Sequence, residues 1–196
     1  MSDTNERTLD SYNEHLQEYI DGTPHEVSSE FKLWVDEAIS RLPAGGSVLE
    51  IGSAFGRDAN YIENKGFEVT RTDAAKSFVD YLNEAGKQAE LLNIVTGDVK
   101  GSFDMVFANA VLLHFAPDEL NIALKKIHPA LNERGVMAFS VKRGEGSEWS
   151  DAKLGAPRFF QYWELNHLTE TLETNGFAVD WSNEGTKWLH IIAKPI

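Results

Sequence analysis

The chain has 196 residues, 42% hydrophobic and 25% charged, a size and balance that suit one domain with its own core. It contains no cysteine, which excludes disulfides, thiolate metal sites and cysteine nucleophiles, and no apolar run approaches the roughly 20 residues of a membrane helix. A net charge of −13 with no basic block disfavours nucleic acid, whose binding draws on Lys and Arg neutralising phosphates.

Residues 1–8 are polar and are expected to be flexible, with none of the basic-then-apolar pattern of a signal peptide; a cytoplasmic protein is the expectation. Residues 9–21 predict a helix with Tyr12, Leu16, Tyr19 and Ile20 on one face, stopped at Gly22-Thr23-Pro24. Residues 29–41 predict a second, with Phe31, Val35, Ala38 and Leu42 at helical spacing, so that 9–45 form a helical cap. From there strands and helices alternate. Strands are predicted over 47–51, 66–72, 88–94, 103–108 and 136–141, with helices from 57 to about 65, over 75–85 and over 117–131. The last of these has proline near its first turn and a stripe of Leu120, Leu124, Ile127 and Leu131, and 132–135 close it. Its basic pair, Lys125-Lys126, reads as a solvated face. Residues 142–160 predict a long polar loop, and 164–175 a helix ending at a left-handed Gly176. Two strands, 177–182 and 186–193, finish the chain around the short turn 183–185, which permits only a hairpin. Alternation of this kind implies a doubly wound, mostly parallel seven-stranded α/β sheet, Rossmann-like, with its last strand antiparallel.

In such a sheet ligands bind beyond the carboxyl ends of the strands, where strand order reverses. The first strand ends at Glu50-Ile51-Gly52 and turns through Ser53-Ala54-Phe55-Gly56 into a helix. Glycines there let backbone approach a ligand, and the helix N-terminus offers free N–H groups. Asp73, seventeen residues after Gly56, stands at the end of the second strand, where a carboxylate can accept from both ribose hydroxyls of a nucleoside or cap the following helix. Glu50 is an acid ending an apolar strand, costly to bury unless paired, and a cationic ligand nearby would rationalise it.

The segment Val48-Leu49-Glu50-Ile51-Gly52-Ser53-Ala54-Phe55-Gly56-Arg57-Asp58 resembles the first motif of class I S-adenosylmethionine-dependent methyltransferases. Asp73 falls on that family's acidic second motif, Phe103-Asp104-Met105-Val106 on its fourth-strand motif, and Ala110-Val111-Leu112-Leu113-His114 and Leu131-Asn132-Glu133-Arg134-Gly135-Val136 resemble the next two. The resemblance runs from about Tyr12 to the final strands and implies S-adenosylmethionine as cofactor, with S-adenosylhomocysteine as product. It implies a cofactor site of Glu50, Gly52, Ser53, Ala54, Gly56, Arg57, Asp73 and Ala74, with Asn109 near the methyl end. Tyr12 and Tyr19 match aromatic positions of a helix that closes over the cofactor, or pack as core. For the adenine contact, strand length favours Asn93 with Ile94, and Asp98 is the second choice. Where the family has its middle glycine this chain has Ala54, and the loop is expected to keep an ordinary backbone conformation there.

Methyl transfer from a sulfonium is a direct displacement, so positioning and exclusion of water suffice on the protein side. His114 is the candidate base, with helix capping or packing as its alternative. Residues 142–162 are expected to roof a pocket for a small-molecule acceptor. The five other histidines have no metal-ligand spacing, so no metal is assigned. Two other readings compete: an NAD(P)-dependent oxidoreductase and a non-catalytic S-adenosylmethionine-binding module. Tyr61-x-x-x-Lys65 matches a dehydrogenase pair only in spelling, since it lies on the first crossover helix.

Overall fold

The computed structural model describes residues 3–196. Along the chain run α1 (Asp3–Glu14), α2 (Leu16–Asp21), α3 (Ser29–Ile39), β1 (Ser47–Ile51), α4 (Arg57–Asn64), β2 (Glu68–Asp73), α5 (Lys76–Glu84) and β3 (Ala89–Leu91). There follow β4 (Phe103–Ala108), α6 (Pro117–Ile127), β5 (Leu131–Lys142), β6 (Ser147–Ser150), β7 (Arg158–Gln161), α7 (Leu165–Thr174), β8 (Phe177–Glu184) and β9 (Trp188–Pro195). Seven strands form one sheet in the order β3-β2-β1-β4-β5-β9-β8, and every pairing is parallel except those β9 makes with β5 and β8. The terminal hairpin is as the short turn requires, and Gly176 takes a φ of 81° after α7. No helix among the described residues is long and apolar enough to cross a membrane.

The central strands read as continuous apolar runs because both of their faces are buried. Alternate residues serve opposite layers. Leu49, Val106, Phe139 and Ile191 pack with Leu120, Leu124 and Leu168 from α6 and α7. Val48, Met105, Phe107 and Ala138 pack with Trp34, Val35 and Ala38 from α3. Strand order reverses between β1 and β4, so the ends of these two strands open the crevice in which the sheet can hold a ligand.

Several boundaries differ from expectation. Residues 3–8 are not loose: α1 begins at Asp3, while residues 1–2 lie outside the described residues. The single helix expected over 9–21 is broken at His15, whose ring Nδ1 is 3.0 Å from the Ser11 carbonyl, the acceptor its own backbone N–H would use. Residues 132–135 do not close a helix. α6 stops at Ile127, a 3₁₀ turn carries Pro129, which lacks the N–H of a continuing helix, and β5 starts at Leu131. A register shift between Phe103 and Met105 absorbs the extra residues. The loop expected over 142–160 is largely a hairpin, β6 against β7, with Trp149 opposite Phe159 and Glu148 opposite Phe160.

Candidate active site

β1 feeds the glycine loop. Gly52, at φ 77°, has no room for a side chain, since a Cβ there would collide with Val111 Cγ2. The N–H groups of Gly52 and Ser53 both donate to the Thr72 carbonyl, at 2.8 and 2.9 Å, which fixes the loop against β2. Ala54 departs from expectation: its φ is 47°, the left-handed region, and not an ordinary conformation. Its N–H donates to Asp73 Oδ2 at 2.9 Å, and that bond holds the residue where a glycine would sit without strain.

Asp73 is buried at the end of β2, and its Oδ1 also accepts from the Ala75 N–H at 2.8 Å. Burial pushes its carboxyl up to about 6, against the pull of these backbone donors. With the Ala74 backbone also acting on it, the carboxylate still keeps lone-pair capacity for a further donor. Glu50 is 1% exposed, and its Oε2 has no hydrogen-bond partner among the described residues. Burial and the nearby Asp58 carboxylate push it up to about 8.

Two joined cavities open here. A narrow inner cleft of about 80 Å³ is lined by Gly52, Ala54, Asp73, Ala74, Asn93, Ile94 and Asn109, with Tyr12, Tyr19 and His114. An outer chamber of about 630 Å³ shares Tyr12, Tyr19, Gly52, Ala54, Asn109 and His114 with the cleft and adds Ser53 and Arg57. Glu50 and Gly56 line neither: Glu50 lies under the loop, and Gly56 (φ 85°) begins α4. Asp98 stands on the surface with Lys126 Nζ 3.6 Å away, outside the cleft. The Asn109 side chain is committed, donating to Asp58 at 2.7 Å and accepting from Ser140 at 2.7 Å, so it offers the cleft main chain.

His114 is 8% exposed, and its hydrogen bonds fix its tautomer. Nδ1 lies 2.6 Å from the Phe159 carbonyl, which only accepts, so Nδ1 carries the proton. Nε2 is then an acceptor, and the Tyr12 hydroxyl, 2.8 Å away, donates to it. Arg158 Nη1 donates in turn to the Tyr12 oxygen at 3.3 Å. Burial drives the imidazole down to about 3, helped by the Arg158 and Lys142 charges, so it stays neutral.

Sequence reasoning missed how far α1 enters the site. Asn5, Thr8 and Leu9 line the inner cleft beside Tyr12, and the spacing 5, 8, 9, 12 was the helical signal available. α1 also fastens to the β7 segment: Thr8 Oγ1 accepts from the Phe159 N–H at 3.0 Å, and Ser11 donates to the Pro157 carbonyl at 2.6 Å. Tyr61 and Lys65 both reach Asp36, at 2.9 Å each, and brace α4 against α3 away from the cleft.

A family model described as a methyltransferase domain matches residues 49–139. A carboxy-S-adenosyl-L-methionine synthase from a Psychrobacter species is 30% identical over 89 residues, 43% of this chain; the match spans only 32% of that longer protein. Among solved structures, a DhpI–SAM–HEP complex superposes with a TM-score of 0.76 at 18% identity, covering 100% of both chains. The CcbJ methyltransferase of Streptomyces caelestis gives 0.74 at 15% identity, over 94% of this chain and 98% of that one. A Burkholderia thailandensis 1,6-didemethyltoxoflavin-N1-methyltransferase, holding its namesake compound and S-adenosylhomocysteine, gives 0.72 at 21% identity, over 95% of this chain and 84% of that one. Residues 49–139 thus match the model of a methyltransferase domain, and the chain as a whole shares its fold with solved structures that include methyltransferases.

Proposed function

We propose that the protein transfers a methyl group from S-adenosylmethionine to a small-molecule acceptor, with the cofactor in the inner cleft and the acceptor in the outer chamber. The observation that carries this reading is Asp73, a buried carboxylate at the carboxyl end of β2, beside the strand that borders the reversal of strand order; it pins the loop with one oxygen and keeps lone pairs for donors such as ribose hydroxyls. Gly52 and Ala54 supply the close backbone approach, and Asn93 with Ile94 wall the far end of the cleft. The unpartnered Oε2 of Glu50 under the loop suits a cationic ligand, whose field favours the ionised carboxylate. S-adenosylmethionine supplies an electrophilic methyl on a sulfonium; the chain orients it and excludes water.

His114 serves this reading as a positioning residue. Its Nε2 lone pair is already taken by Tyr12, and its low proton affinity ill suits a general base near neutral pH. It fixes the Tyr12 hydroxyl at the join of the two cavities. The α1–α2 segment then covers the cofactor, and 142–162 roofs the acceptor. The aromatic-lined outer chamber, of ordinary ligand-pocket size, favours a small acceptor.

Titration calorimetry with S-adenosylmethionine, S-adenosylhomocysteine and NAD tests the reading. Binding of the first two is expected, weakened about tenfold or more by Asp73→Ala through loss of charge-assisted hydrogen bonds. If neither binds the wild-type protein the proposal fails, and tight NAD binding would favour an oxidoreductase.

A further inference from the structure

The geometry points to an acceptor that carries an oxyanion, a carboxylate or a phosphonate, on a small apolar body: Arg158, Lys142 and Lys153 line the outer chamber together, and no carboxylate stands within ion-pair distance of any of them among the described residues. This rests on the methyltransferase reading and names the substrate class of the same site. The chain has a net charge of −13, yet these three cations gather with no carboxylate in ion-pair contact.

Arg158 is the centre of the group. Its residue is 5% exposed, its Nη1 donates to Tyr12, and its buried Nε has no partner. An unpaired buried donor of this kind is uncommon in folded proteins and asks for a ligand or another account. The cations are held by aromatic faces and a hydroxyl, which leave their charge intact. Lys142 Nζ sits 3.9 Å from the Phe160 ring centroid and the Arg158 guanidinium 5.1 Å from the same ring. Lys153 Nζ sits 3.9 Å from the Tyr19 centroid and donates to Thr23 Oγ1 at 2.5 Å. Arg158 also raises the cost of charging both lysines: burial and its field lower Lys142, and burial, Arg158 and Arg57 lower Lys153 to about 8. An anion between them removes that repulsion.

The acids facing this space are otherwise engaged or stand at its rim. Asp58 is held by Arg57 at 2.6 Å and by Asn109. Glu148, whose field reaches Lys142, accepts from the Tyr162 hydroxyl at 2.6 Å. Glu26 and Glu30 are exposed at the mouth, Glu30 being 3.7 Å from His190. The cations line the outer chamber and are absent from the lining of the inner cleft, so the anion belongs with the acceptor rather than with the cofactor. Phe31, Leu113, Phe160 and Trp188 in the chamber wall suit an apolar or aromatic body.

The test uses the full chain saturated with S-adenosylhomocysteine and titrated with benzoate, phenylphosphonate and the neutral benzamide. At least one of the two anions is expected to bind about tenfold or more tighter than benzamide, as a charge matched to buried cations should. Which of the two it is tells carboxylate from phosphonate. Lys142→Met, at a half-buried position, and Arg158→Gln are expected to erase most of that margin, and Lys142→Met, which has no contact with Tyr12, to leave affinity for S-adenosylhomocysteine unchanged. Equal or absent binding of all three probes, or a margin that survives both substitutions, overturns the inference. So does a loss of S-adenosylhomocysteine affinity in Lys142→Met, which would assign the cations to the cofactor. Failure of the wild-type protein to bind S-adenosylhomocysteine at all would instead sink the methyltransferase reading beneath it.

Discussion

At the scale of single residues, the glycine loop holds one strained position. Ala54 keeps a φ of 47° because its N–H bonds Asp73, at a conformational cost of about 1–2 kcal/mol for a residue with a Cβ. Ala54→Gly is therefore expected to stabilise the protein by up to about 1 kcal/mol, the unfolded chain's added freedom offsetting part of the relief. Urea denaturation measures it, and a loss of stability would mean that the alanine methyl contributes packing that outweighs the strain. Gly52 and Asp73 were legible in the sequence because their roles follow from spacing: one ends the first strand, the other the second. Ala54 was misread because alanine's preference was set above the pull of a hydrogen bond from a residue nineteen positions away. Arg158 could not be singled out from sequence at all. What distinguishes it is the lack of a carboxylate partner in three dimensions.

At the scale of elements, the buried strands were the most legible feature, since Val48-Leu49 and Met105-Val106-Phe107 are apolar on both faces. The β6–β7 hairpin was not, because its glycines and charges mask a cross-strand pairing that only the folded chain brings together. α1 begins in a polar run, and its stability comes from tertiary bonds rather than from an apolar stripe: Asn13 accepts from the Ser77 N–H at 3.0 Å, and Asn5 accepts from Asn93 at 2.7 Å. An inner cleft of about 80 Å³ is far below the roughly 300–1,000 Å³ of ordinary ligand pockets, so on the proposed function α1 is expected to move outward to admit a nucleoside. Hydrogen exchange checks this. Amides of α1 and α2 are expected to exchange fast in the free protein and to slow with S-adenosylhomocysteine, while those of β1, β4 and β5 stay protected throughout. Strong protection of α1 without ligand would contradict it.

At the scale of the molecule, the buried acids set a pH dependence. Glu50 rises from 4.5 to about 8 on folding, so its contribution to stability is full below 4.5 and is lost as pH climbs through about 8. Asp73, raised from 3.8 to about 6, acts in the same direction at lower pH. His114, lowered from 6.5 to about 3, has the opposite sign: its contribution is present above 6.5 and lost as pH falls toward 3. Between pH 6.5 and 8 the unfolded-state histidine is mostly neutral and Glu50 dominates, so the free protein is expected to lose thermal stability across that window. Glu50→Gln, neutral throughout, is expected to flatten the slope and raise the melting temperature at pH 8. An unchanged slope in that variant would place the dependence elsewhere, for instance in the self-repulsion of a chain at −13.

The seam between α1 and β7 carries a kinetic meaning. Thr8, Ser11 and Tyr12 on the helix are tied to Phe159, Pro157 and Arg158 on the roof, and His114 bonds Tyr12 on one side and Phe159 on the other. Swinging the helix out to admit a nucleoside undoes the same bonds that give the acceptor chamber its wall. The chamber keeps this shape only while the helix is down. On the proposed function, loading is therefore expected to be ordered, donor first and acceptor second, and product-inhibition kinetics with a random-order pattern would contradict it.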